Sequence, residues 1–154
     1  MTMAITVLQG ADEVRAAVGR HLGRSDWLLI DQQRVNAFAE ATGDHQWIHV
    51  DVDRAAAGPF GGPIAHGYLT LSLSNLLLPQ IVEITGFAMG VNYGTNRVRF
   101  VTPVPVGVRI RGGAELSEVT EVAGGLQTTM IVTIEIESSP KPACVIESIS
   151  RWLQ

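Results

Sequence analysis

An α+β fold, with one curved antiparallel sheet wrapped around a buried helix, is predicted by three observations. Between residues 11 and 42 apolar side chains recur at helical spacing. Tyr68 to Pro79 is apolar on nearly every face, so a helix there has to be enclosed rather than laid on the surface. From Met89 onward the period changes to two, in segments rich in Val, Ile, Thr and aromatics. Helices followed by a run of long strands build an α+β layer arrangement. A chain of 154 residues, 46% of them hydrophobic, buries roughly 70% of its unfolded surface in one core, so a single domain over residues 1–154 is expected.

The elements follow in order. Val14, Ala17, Val18 and Leu22 mark an amphipathic helix over Ala11–Leu22, with Gly23 as its stop. The apolar run Trp27–Ile30 leads to Asp31, which caps a second helix whose inward stripe is Val35, Phe38, Ala39 and Thr42 and whose end is Gly43. Asp51 or Asp53 caps a brief helical turn through Ala55–Ala57, and Gly58-Pro-Phe-Gly-Gly-Pro63 is a loop. The central helix begins near Tyr68 and kinks or ends near Leu78, because Pro79 removes a backbone donor. Strands are expected over Met89–Tyr93, Asn96–Phe100, Val108–Leu116, Leu126–Ile136 and Val145–Trp152, parted by Gly, Pro and the turn Glu121-Val-Ala-Gly-Gly125. That outline is the hot-dog fold.

Composition excludes several function classes. A net charge of -4 with scattered Lys and Arg gives no basic field, which argues against nucleic acid as a partner. The single cysteine, Cys144, supports neither a disulfide framework nor a thiolate metal cluster, so a reducing cytoplasm is expected. The stretch Met1-Thr-Met-Ala-Ile-Thr-Val-Leu-Gln9 lacks the pattern of a secretory signal, and no apolar run approaches the roughly 20 residues that span a bilayer. A soluble protein without membrane contact is the expectation. No Gly-x-Ser-x-Gly elbow or phosphate-binding loop occurs, which argues against covalent intermediates.

Chemistry concentrates in two blocks. Asp44 and His49 follow the helix stop at Gly43 in one short stretch read as non-helical, where a carboxylate and an imidazole can hold a water between them. The bland alternative makes Asp44 a cap for the next turn and His49 a satisfied polar residue. His45 and His49 also stand in an H-x-x-x-H spacing, but the β-rich Ile48-His-Val50 opposes the helix a zinc pair needs, so no metal is assigned and His45 is read as exposed. In the second block, Ile64-Ala-His-Gly67 meets the central helix where its first amides lack partners, and a carbonyl oxygen fits there. Gly67 serves either close ligand approach or helix packing. His66 is read as making a structural hydrogen bond, and Ser72 either lines a pocket or bonds back to its own helix.

Gly43-Asp-His-Gln-Trp-Ile-His-Val-Asp51, Gly58-Pro-Phe-Gly-Gly-Pro-Ile-Ala-His-Gly67 and Asn92–Phe100 followed by Pro103-Val-Pro-Val-Gly107 resemble the MaoC-like dehydratases. This hot-dog group includes the R-specific enoyl-CoA hydratases, and the likeness, over roughly residues 25–152, looks closest to actinobacterial 3-hydroxyacyl-thioester dehydratases. It implies reversible hydration of trans-2-enoyl thioesters to (3R)-hydroxyacyl thioesters, on coenzyme A or acyl carrier protein, by a homodimer that needs no cofactor. It maps the catalytic dyad to Asp44 and His49 and the oxyanion-hole amide to Gly67. Ile64, Ala65, His66, Tyr68 and Ser72 are expected to border the substrate, and Arg97 is either a contact for coenzyme A phosphates or part of a solvated face. Where many members carry Asn-Pro, this chain has Gln46-Trp47. The competing readings are a hot-dog thioesterase, which needs an acid on the central helix where Ser72, Ser74 and Asn75 offer none, and a non-catalytic acyl-thioester binding module.

Overall fold

The computed structural model describes residues 3–154; Met1 and Thr2, the first residues of the stretch read for a signal, lie outside it. The chain runs β1 (Thr6–Gln9), α1 (Gly10–Ala16), β2 (His21–Arg24), β3 (Leu28–Leu29), α2 (Gln32–Thr42), α3 (Trp47–Val50), α4 (Val52–Ala56), α5 (Gly67–Ser72), α6 (Ser74–Leu77) and a 3-10 turn at Leu78–Gln80. It continues as β4 (Val82–Thr85), β5 (Met89–Phe100), β6 (Arg109–Val122), β7 (Gly125–Ile136) and β8 (Cys144–Leu153). The main sheet has the order β2-β6-β7-β8-β5, every pairing antiparallel, with β3 beside β2 along β6. It curves around α5 and α6, and this is the hot-dog arrangement.

One stripe of the central helix makes the core. Leu69, Leu73, Leu77 and Ile81 recur every fourth residue and are buried, so they share one face. They meet Ile110, Leu116, Met130, Val132, Ile134 and Ile146 from the sheet. Burying a leucine of this kind stabilises the fold by about 1.5–3 kcal/mol. Close approach requires a glycine: a Cβ on Gly112 would lie 3.2 Å from the Leu77 Cβ.

Several expectations are corrected. The first helix stops at Ala16, not Leu22, because Gly19 turns the chain at φ +86° and gives its amide to the Leu116 carbonyl at 2.7 Å. Leu22 is buried, but from a strand, and Gly23 ends no helix. Asp31 does cap α2, accepting from the Arg34 amide at 2.8 Å, and Gly43 ends it at φ +80°. Thr42 leaves the inward stripe; it is exposed and its hydroxyl donates to the Phe38 carbonyl. Asp51, rather than Asp53, caps α4.

The central helix breaks at Leu73, ahead of the proline, and Pro79 sits in the 3-10 turn. Nor is that helix enclosed within one chain: Tyr68, Ser72 and Leu76 face outward. Met89–Tyr93 and Asn96–Phe100 are one strand, whose register against β8 shifts between Asn92 and Gly94 and between Thr95 and Arg97. Bulges of this kind disguise one strand as two. The parallel pair of β1 with β4 has no counterpart in the sequence pattern, because such short strands carry no period of their own.

Candidate active site

Three segments meet at the start of α5. The Ile64 amide donates to the Ile48 carbonyl at 3.0 Å, Ala65 to Val104 at 2.8 Å, and Val106 to Pro63 at 2.9 Å. From α2, the Gln32 side chain donates to the His49 carbonyl at 2.7 Å. The residues after Gly43 are thereby pinned to the Ile64–Gly67 segment. Trp47 packs so closely over Gly58 that a Cβ there would lie 2.9 Å from its ring, and Arg54 stacks on it at 4.3 Å.

His49 stands on a helical turn, not in the non-helical stretch expected, because Asp44 to Gln46 use only three residues before α3 begins. The turn carries the imidazole inward, leaving it 6% exposed. Its Nδ1 lies 2.6 Å from the Ile64 carbonyl. A carbonyl only accepts, so Nδ1 carries the hydrogen and Nε2 is left as a bare acceptor. Burial pushes the His49 imidazole below its ordinary value of 6.5 and nearby His66 adds to this, against the opposing pull of the Ile64 carbonyl and Asp44. His49 is therefore a neutral base at pH 7.

Asp44 is exposed, and its carboxylate accepts only from the Gln46 amide, at 3.3 Å. His66, 3% exposed, stacks on His49 with ring centroids 3.8 Å apart at 24° and packs against Phe38 at 4.9 Å. Its Nε2 donates to the Asp44 backbone carbonyl at 3.0 Å, which is the structural hydrogen bond expected of it. An Asp44 carboxylate oxygen and one nitrogen from each of His49 and His66 lie within 4.8 Å of one another. Rings stacked face to face aim their lone pairs side by side rather than at one point, a poor cage for a cation. His45 stands outside this group, exposed and 3.5 Å from Glu40.

At the helix start, the amides of Leu69 and Thr70 already donate to the His66 carbonyl at 3.1 and 3.2 Å, and His66 provides no side-chain cap. The amides of Gly67 and Tyr68 precede these bonds and have no intrahelical acceptor. Gly67 also packs tightly: an added Cβ would lie 3.1 Å from the half-exposed Phe100 ring, which would have to shift by a few tenths of an ångström. Ile64 and Ala65 are buried, Ile64 using its carbonyl to orient His49. Tyr68 is 69% exposed and edge-on to Phe100, and the Ser72 hydroxyl donates back to the Tyr68 carbonyl at 2.7 Å. Both lie on the outward face of α5, where Ser72 bonds back to its own helix and also borders a groove of about 270 Å³ with Ser74, Asn75 and Tyr93. Arg97 alternates with Val98 and Phe100, which places it on the opposite face of β5, with Arg99, Val145 and Glu147 around a groove of about 240 Å³. Gln32 was not legible as a site residue, since nothing in the sequence links it to a backbone carbonyl seventeen residues later.

A family model described as the MaoC-like domain matches residues 13–138. The chain belongs to this family. It is 52% identical to 3-hydroxyacyl-thioester dehydratase Z of Mycobacterium tuberculosis over 92% of this chain and 94% of that one. To nodulation protein N of Rhizobium leguminosarum it is 49% identical, over 85% of this chain and 83% of that one. Among solved structures, the (R)-hydratase from A. caviae involved in PHA biosynthesis superposes with a TM-score of 0.73 at 27% identity, over 88% of this chain and 96% of that one. The blocks at Gly43–Asp51 and Gly58–Gly67 meet in this chain through the Ile64–Ile48, His49–Ile64 and His66–Asp44 hydrogen bonds. No helix among the described residues is long and apolar enough to cross a membrane.

Proposed function

We propose that this MaoC-like protein, one hot-dog unit over residues 1–154, is a hydro-lyase that reversibly adds water to trans-2-enoyl thioesters, giving (3R)-hydroxyacyl thioesters. The observation that carries the reading is the pairing of an unspent Asp44 carboxylate with a His49 whose Nδ1 is tied to Ile64. Two acceptors side by side take one hydrogen each from a water and leave its lone pairs free. As its oxygen adds to C3, one O–H bond of that water breaks and the proton passes to the dyad, the charge that builds on the thioester oxygen is met by the Gly67 amide, and the dyad then returns a proton to C2 as the enolate collapses. Asp44 and His49 act as a coupled pair, so the proton delivered to C2 belongs to the dyad rather than to one named member. No metal or redox cofactor enters this chemistry.

The carrier is coenzyme A or acyl carrier protein, with Arg97 and Arg99 as phosphate contacts from the outer face of β5. A homodimer would cover the exposed apolar side chains Met89, Val91, Tyr93 and Phe100 of β5, an edge strand open on one side. Light scattering should then give twice the chain mass. The deciding assay follows loss of the crotonyl-CoA ultraviolet band with purified protein. Turnover in wild type, lost in Asp44→Asn and His49→Ala, is the expected result; thiol release instead would make it a thioesterase, and tight binding without turnover a binding module.

A further inference from the structure

Building on the hydratase reading, we propose that His66 is a positioning residue that holds the Asp44 loop and the His49 ring in a single arrangement. Asp44 is otherwise weakly restrained: its amide reaches the Thr42 hydroxyl at 3.4 Å and its carboxylate the Gln46 amide at 3.3 Å, both within its own loop. The His66 Nε2, at 3.0 Å from the Asp44 carbonyl, is the shortest of the three and comes from another segment. The same ring lies flat on His49 at 3.8 Å and immediately precedes Gly67. One side chain thus touches the loop that carries the carboxylate, the face of the imidazole base, and the residue that opens the helix.

The second ring nitrogen shows that packing alone does not explain a histidine here. Nδ1 of His66 is buried and has no partner among the described residues. An unpaired buried nitrogen is costly, and a phenyl ring would stack on Phe38 and His49 without it. A phenyl ring cannot donate to the Asp44 backbone. Proximity to His66 also helps to hold the His49 imidazole below its ordinary value, behind the larger effect of burial.

Nitrogen-15 NMR of the imidazoles in wild type tests the geometry directly, with His66 expected to be protonated at Nε2 and His49 at Nδ1. Three variants then separate the roles. His66→Phe keeps the stack and removes the donor; with crotonyl-CoA its kcat should fall on the order of a hundredfold while KM stays within about twofold. His66→Gln restores an N–H near the Nε2 position without a ring, and should exceed His66→Ala by about tenfold in kcat. A packing role predicts the reverse order, Phe active and Gln impaired. A wild-type His66 protonated only at Nδ1, a folded His66→Phe with wild-type kcat, or Gln no better than Ala would each overturn the proposal. If wild type hydrates no enoyl thioester while the Asp44 amide gives one sharp resonance that broadens or splits in His66→Phe, the positioning role stands and the hydratase reading falls.

Discussion

Two regions of this molecule set carboxylates beside nitrogen-bearing side chains, and they differ in how fully the acceptors are paired. Along the rim of the sheet, Arg111 and Arg24 donate to the two oxygens of Glu135 at 2.7 and 3.3 Å, and Arg109 grips Glu137 through two bonds at 2.7 and 2.6 Å. Burial would raise the Glu135 carboxyl, but the hydrogen bonds and the charges of Arg111 and Arg24 together outweigh it and hold Glu135 below its ordinary value. Every carboxylate oxygen there already has an arginine partner. At the dyad the imidazole is tied by one nitrogen and the carboxylate by one long bond, so both keep an open acceptor. Full pairing supports a scaffold, whereas partial pairing leaves room for a water and a substrate.

That contrast breaks most visibly in activity. Asp44→Asn and His49→Ala should each lower crotonyl-CoA hydration by about a hundredfold or more, while exposed Asp44→Asn leaves denaturant stability within about 0.5 kcal/mol. A Glu135→Gln protein with the same activity loss would erase the distinction. Next in size is Gly67→Ala, whose methyl meets the Phe100 ring. Because that ring is half-exposed and can shift, the cost in urea unfolding should be at most about 1 kcal/mol, while a shift of the helix-start amides lowers turnover.

Acid sharpens the comparison further, because the two regions respond at different pH. Folded His49 holds its proton less tightly than free imidazole, so its contribution to stability is complete well above 6.5 and is lost as the pH falls below that value. The acid limb of a kcat/KM profile should accordingly lie below 6.5. Glu135 is depressed instead, so its contribution is present above 4.5 and fades only as the pH falls below it. Thermal melts across this range should show two separate acid losses, the lower one abolished in Glu135→Gln. Smallest of all, Glu135→Gln at neutral pH should cost at most about 1 kcal/mol, since the rim ion pairs remain partly exposed.

Much of the fold was legible because its signals are local. The period of two in Leu126–Ile136 marks β7, the capping side chain at Asp31 marks the start of α2, and the αL glycine at Gly43 marks its end. Where reading failed, a distant partner had decided the matter. Ala17 and Leu22 fit a helical stripe equally well whether or not the chain turns at Gly19, and the pairing of β2 with β6 chose the strand. His66 has the same character: its bond to the Asp44 carbonyl spans twenty-two residues.

The order of residues alone determined the layer architecture and the two blocks that meet at the start of α5, since periodicity, caps and residue type are properties of neighbouring positions; the dyad roles of Asp44 and His49 came from the resemblance to the MaoC-like dehydratases. Only the tertiary structure decided which nitrogen of His49 is free, that His66 lies against it, and that one face of the central helix remains open. Those depend on a carbonyl, a ring and a sheet edge contributed by other segments, and hydrogen-bond partners and burial are set by packing in space.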